Sequence, residues 1–294
     1  MPSGRPELAC RVGAMLGEGP VWVEREQALW FVDIKGHQVH RFDPADTALT
    51  SWSVAAQPGW ILPISGGGFA VGMQCGIERF DPADGSFAPI VVPEAHLPGN
   101  RLNDATTDAH GRIWFGSMDD AEAALSGALY TLDARGVVHS GLPEVAITNG
   151  PAFSPDGRVL YHTDTLGRTI HAVEVNDDHS LGAAKTFVEI EDGAGYPDGP
   201  VVDSAGNVWT GLFGGWAARC YAPDGSLIET VRLPTANITK IAFGGADLKT
   251  AYVTTARKGL DATALATQPE AGDLFAFTVD VAGLPATEAI VALH

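Results

Sequence analysis

Cysteine is nearly absent from this sequence: Cys10, Cys75 and Cys220 are odd in number, far apart and form no C-x-x-C pair. A disulfide framework and a zinc ribbon are therefore excluded, and the three are expected to be reduced core residues. Basic side chains are also few, with 18 Lys and Arg against 36 Asp and Glu and a net charge of −18. A chain this acidic has no electrostatic footprint for a phosphate backbone or an anionic lipid surface, so neither nucleic acid nor membrane is an expected partner. No apolar run approaches the ~18 residues that a membrane-spanning helix needs. The first residues mix Arg5, Glu7 and Arg11 with single apolar positions and lack the apolar stretch of a secretion signal, so a cytoplasmic protein is expected. Catalytic signatures are missing too. There is no GxSxG elbow, the nine histidines show no HxH or HExxH spacing, and Gly66-Gly67-Gly68-Phe69-Ala70-Val71-Gly72 is not a GxGxxG within a βαβ unit.

Turn formers, by contrast, are abundant: 35 Gly and 19 Pro without a three-residue period, in a chain that is 45% hydrophobic. That combination predicts a folded body with many tight turns. The turns have a rhythm. Short apolar segments recur around Trp30, Ala70, Trp114, Tyr161, Trp209 and Tyr252, at steps of 40, 44, 47, 48 and 43 residues. Each follows a turn and another apolar stretch, as in Pro155-Asp156-Gly157, where Pro presets φ and Gly accepts φ > 0. Each is followed by a third strand-like segment, most plainly Val39 to Pro44 and Ile77 to Pro82. Steps of this size match a four-stranded propeller blade. The chain is thus predicted to be an all-β, six-bladed β-propeller, residues 1–294 forming a single domain, with a strand near residues 8–16 closing the last blade. The segments 119–126 and 259–272 are expected to be helical or irregular loops on one rim.

In a propeller the innermost strands surround a central channel, so equivalent repeat positions converge there. Just ahead of that strand lie Glu18-Gly19-Pro20, Asn149-Gly150-Pro151 and Asp198-Gly199-Pro200, with Asn103-Asp104-Ala105, Trp60-Ile61 and Lys240-Ile241 at the same phase of the other repeats. Gly and Pro account for a turn; they do not account for an oxygen donor ahead of them three times. Two carboxylates and an amide oxygen aimed at one axis need a positive charge between them. An all-oxygen set of this kind suits one hard divalent cation, which makes Glu18, Asn149 and Asp198 the candidate metal ligands; Ca²⁺, Mn²⁺, Mg²⁺, Fe²⁺ and Zn²⁺ all remain open. On the same rim, Arg101 offers several donors to a hydroxyl-rich or carboxylate ligand beside Asn103. Asp119, Asp120 and Glu122 form an acidic loop able to accept hydrogen bonds from hydroxyls.

These residues resemble the gluconolactonase/regucalcin (senescence marker protein) family of sugar-lactone hydrolases. The resemblance runs almost end to end, through Gly17-Glu18-Gly19-Pro20, Asn100-Arg101-Leu102-Asn103-Asp104, Gly111-Arg112-Ile113-Trp114-Phe115-Gly116-Ser117-Met118, Asn149-Gly150-Pro151, Pro197-Asp198-Gly199 and Gln268-Pro269-Glu270-Ala271-Gly272-Asp273. It implies a six-bladed propeller with one divalent metal at the top of the channel, ligated by Glu18, Asn149 and Asp198. It also implies substrate binding by Arg101 and Asn103. Pro151 and Leu102 depart from the family's usual residues, and the acidic substrate contact does not align uniquely with Asp119, Asp120 or Glu122. The activity expected is metal-dependent hydrolysis of a pentono- or hexonolactone to the aldonic acid by a monomer, with Asp198 as general base. A non-catalytic calcium- or ligand-binding propeller and a paraoxonase-like esterase are the alternatives.

Overall fold

The computed structural model describes residues 3–291. Apolar segments alternate with turns throughout, and they assemble into six antiparallel four-stranded sheets, the blades of one propeller. The innermost strands, in chain order, are Gly17–Val23, Pro58–Pro63, Asn100–Thr107, Thr148–Phe153, Tyr196–Val202 and Ile238–Gly244. Blades 1 to 5 are each built from four consecutive strands running outward. Blade 6 takes three strands from the end of the chain, and its outermost strand is Glu7–Cys10, which pairs antiparallel with Leu274–Thr278. Closing a ring with both ends of the chain makes the first and last blades each other's support.

The blades pack through large side chains placed by strand alternation. Between blades 1 and 2, Trp30 stacks on Trp52 at 5.2 Å and meets Phe69 at 4.2 Å, and Phe80 adds an edge. Trp30, Phe69 and Phe80 are buried. Such aromatic pairs contribute beyond their buried area. A repeated turn supports the inner hairpins of blades 3 and 5. Asp203 accepts from the Ala205 and Asn207 N–H groups, both at 3.0 Å, from Asn207 Nδ2 at 2.9 Å and from Trp209 Nε1 at 3.3 Å. Asp108 does the same for His110, Arg112 and Trp114. Asp203→Ala leaves these donors without their buried acceptor, so urea unfolding is expected to show a loss of about 2–3 kcal/mol. A loss below about 0.5 kcal/mol would mean that the turn holds itself.

Two rim loops are irregular at residues 120–128 and partly helical at Ala262–Thr267, where Asp261 caps the helix by accepting from the Ala264 N–H. The cysteines differ from expectation. Cys220 is buried and Cys10 half-buried, but Cys75 is exposed, because it sits in the turn joining the second and third strands of blade 2 rather than in a strand. Among the described residues no helix is long and apolar enough to cross a membrane.

Candidate functional site

The innermost strands share one irregularity. Each has a register shift against its hairpin partner at the same phase: Glu18/Val21, Pro58/Trp60, Asn103/Ala105, Asn149/Ala152, Pro197/Pro200 and Ile238/Ile241. A bulge leaves an extra residue out of the ladder and re-aims its neighbours. Here it releases Glu18, Asn103, Asp104, Asn149, Asp198 and Lys240 from the blade faces, and all six are buried. Glycine makes the turn possible at Gly150, whose φ is 78°, and makes room at Gly199, where a Cβ would collide with the Asp104 carboxylate. Asp104 itself is held in a left-handed conformation, φ 42°.

Glu18 and Asp198 are close enough in the channel for each carboxyl to act on the other. Glu18 accepts from the Gly19 N–H at 3.1 Å and Asp198 from the Gly199 N–H at 2.9 Å. Burial, and then the neighbouring Asp198 and Asp104 charges, push Glu18 well above the usual carboxylate range. Burial, reinforced by Asp104, raises Asp198 to about 7. Both shifts have the physical origin expected of carboxylates that share a dry space. Asp104 accepts from the Ala105 N–H and the Gly150 N–H, both at 2.8 Å, and forms an ion pair with Lys240.

Asn149 is oriented by its neighbours. Its Nδ2 donates to Thr165 Oγ1 at 2.9 Å, and its Oδ1 accepts from Asn103 Nδ2 at 2.9 Å. Asn103 in turn donates to the Thr148 carbonyl at 2.6 Å and accepts from Arg101 Nη1 at 2.7 Å. Arg101 continues outward, donating through Nε to Asp120 at 3.0 Å. Its Nη2 has no hydrogen-bond partner among the described residues.

Asp120 is a junction of three donors: Lys35 Nζ at 2.7 Å, Gln57 Nε2 at 3.1 Å and Arg101 Nε. Burial opposes its ionisation, but the hydrogen bonds from Lys35 and Gln57 and the Arg101 charge prevail and hold it down at about 2. Asp119 turns elsewhere. Its carboxylate accepts from the Ala121, Ala123 and Ala124 N–H groups and so folds its own loop. Of the two acidic residues expected to face a substrate, the structure brings only Asp120 to the Arg101 cluster. Glu122 reaches across to pair with Lys258, which lies on a loop of blade 6.

Lys35 and Gln57 were not singled out from the sequence. Both lie in rim turns, where repeat phase carries no information about reach. Lys240 did carry a signal, because it falls in the inner-strand bulge of the sixth repeat, one residue on from the position that Glu18, Asn149 and Asp198 take in theirs. Below it the channel widens into a cavity of about 820 Å³, lined by Val21, Ile61, Ala152, Val201 and Ala242 among others. Lys240 lines this cavity; Glu18, Asn149 and Asp198 do not. Among the described residues no three His, Cys, Asp or Glu side chains form a metal-binding group, so the candidate set depends on the Asn149 amide oxygen as its third donor.

Comparison with known proteins agrees with the propeller fold. The chain is 34% identical to a 6-deoxy-6-sulfogluconolactonase of Pseudomonas putida, over 93% of this chain and 94% of that protein. It is 35% identical to an L-arabinolactonase of Azospirillum brasilense, over 96% and 95%. A crystal structure of regucalcin from Agrobacterium tumefaciens, described as a calcium-binding protein, superposes with a TM-score of 0.92 at 28% identity, covering 99% of this chain and 97% of that one. Residues 16–257 match the model of the SMP-30/Gluconolactonase/LRE-like region. The chain therefore belongs to the SMP-30/gluconolactonase/LRE-like family.

Proposed function

We propose that this protein hydrolyses a sugar lactone, a pentono- or hexonolactone, to the open aldonic acid, with one divalent cation held by Glu18, Asn149 and Asp198. The observation that carries the reading is the Glu18–Asp198 pair, two buried carboxylates at one axis beside an amide oxygen fixed by Asn103 and Thr165. Two carboxylates destabilised as anions by burial and by one another gain most from a hard cation, and an amide oxygen completes an all-oxygen donor set. The relatives named for sulfogluconolactone and L-arabinolactone hydrolysis support the substrate class.

A cation bound there supplies Lewis-acid polarisation of a lactone carbonyl. The remaining chemistry belongs to the chain. Asp198 is placed to accept the proton of the attacking water. Arg101 directs Nη2 at the sugar hydroxyls, while Asp120, held by Lys35 and Gln57, fixes the guanidinium plane. Asn103 gives both amide protons to Thr148 and Asn149, so it keeps the Asn149 oxygen aimed and offers a sugar only its own Oδ1. The closed ring and the free cysteines suit a monomer in a reducing cytoplasm.

The test is acid release from a panel of pentono- and hexonolactones, with metal-stripped protein compared with protein reloaded with Ca²⁺, Mn²⁺, Mg²⁺, Fe²⁺ or Zn²⁺. Spontaneous opening is subtracted. Metal-dependent acceleration on one sugar is the expected result. Tight binding of one ion without acceleration on any lactone would instead identify a binding propeller.

A further inference from the structure

The channel holds three buried carboxylates, Glu18, Asp104 and Asp198, and one buried ammonium, Lys240. Their partners differ. Glu18 and Asp198 each take one backbone N–H, which leaves oxygens free. Asp104 is more fully engaged: one oxygen takes the Ala105 N–H and Lys240, the other the Gly150 N–H. Lys240 is also directed at the Ala105 carbonyl, 3.4 Å away, so its ammonium is anchored to blade 3, across the channel from its own blade 6. Three negative groups against one positive leave two net negative charges.

We propose that Lys240 sets the charge selectivity of the cation site. By pairing with Asp104 it neutralises a third carboxylate beside the ligand set and leaves a charge matched to a divalent ion. This rests on the metal reading given above. Without the ammonium, Asp104 would add a third uncompensated charge within reach of Glu18 and Asp198, and the site would favour a trivalent ion of similar size and oxygen preference. A lysine that merely separated the site from the lower cavity would change stability on removal, but not the preference between charges.

The experiment titrates metal-stripped native protein, Lys240→Met, Asp104→Asn and the double variant with Ca²⁺ and with Tb³⁺, by calorimetry and by terbium luminescence. For Lys240→Met the ratio of Tb³⁺ to Ca²⁺ affinity is expected to rise about tenfold or more over native. For Asp104→Asn, which leaves the ammonium facing the ligands, Ca²⁺ affinity is expected to fall about tenfold or more. The double variant is expected to return the native ratio to within about threefold. A native ratio in folded Lys240→Met overturns the proposal. Should that variant fail to fold, native Ca²⁺ affinity in Asp104→Asn overturns it equally. Native protein that binds neither ion removes the metal reading and this inference together; native binding with unaltered variants removes this inference alone.

Discussion

Replacing Asp198 with Asn is expected to lower kcat/KM on the preferred lactone by roughly 10³-fold or more. Two losses combine in this one side chain. Asn cannot accept the proton of the attacking water, and a positioned general base is worth about 10²–10⁴-fold. Asn also supplies a neutral oxygen where Asp supplied a charged one, which weakens the hold on a cation whose charge stabilisation has a similar magnitude. Asn matches Asp in shape, so the buried environment should survive. Relief of the repulsion with Asp104 and Glu18 should even make the metal-free variant somewhat more stable than native protein at neutral pH. The measurement is initial acid release at saturating metal, with metal content and thermal unfolding recorded on the same samples. A folded variant that keeps rates within tenfold of native would remove Asp198 from both roles. A rate loss with full metal occupancy would separate the base from the ligand.

The ring and the axis were legible in the chain because both rest on period. A step of 40 to 48 residues marks the blades, and the phase within each step marks the bulge that turns Glu18, Asn149 and Asp198 inward. Gly ahead of Pro marks that bulge in blades 1, 4 and 5, whereas blades 2, 3 and 6 bulge at the same phase without it. The partnerships of the side chains were not legible, because they join distant parts of the chain. Lys35 meets Asp120 across 85 positions, and Lys240 meets Asp104 across 136. Period fixes where along a strand a residue falls; it does not fix which long side chain crosses a channel to meet it. The acidic loop makes the same point at close range. Asp119 and Asp120 are adjacent, yet one takes three N–H groups of its own loop and the other gathers Lys35, Gln57 and Arg101. Adjacent residues at a strand end face opposite ways, and only the register of Ile113–Asp119 decides which faces the rim.

Metal-stripped protein is expected to lose stability as pH rises from about 4 to about 7, and a divalent cation is expected to return it. Asp198 has an ordinary value of 3.8 and is raised to about 7 in the fold, with Glu18 raised alongside it. A carboxyl whose folded value is raised binds its proton more tightly folded than unfolded. Its protonated form therefore favours the fold at low pH, and that advantage fades as pH climbs from the unfolded value through the folded one. At ~1.4 kcal/mol per unit, the Asp198 shift corresponds to roughly 4 kcal/mol of lost stability by neutral pH. Asp120 acts in a separate window. Held at about 2, it favours the fold above its unfolded value and withdraws that support only as pH falls through the range below 4. A cation competes with the protons on Asp198 and Glu18, so its affinity should rise with pH and its binding should release protons below about pH 7. The stabilisation it confers should grow in step. Thermal unfolding in chelator and in excess Ca²⁺ or Mn²⁺, across about pH 4.5 to 8.5, reads both slopes. Two parallel curves would show that the cation sits elsewhere than on this pair. A metal-free curve that rises with pH would show that Lys240 already compensates both carboxylates.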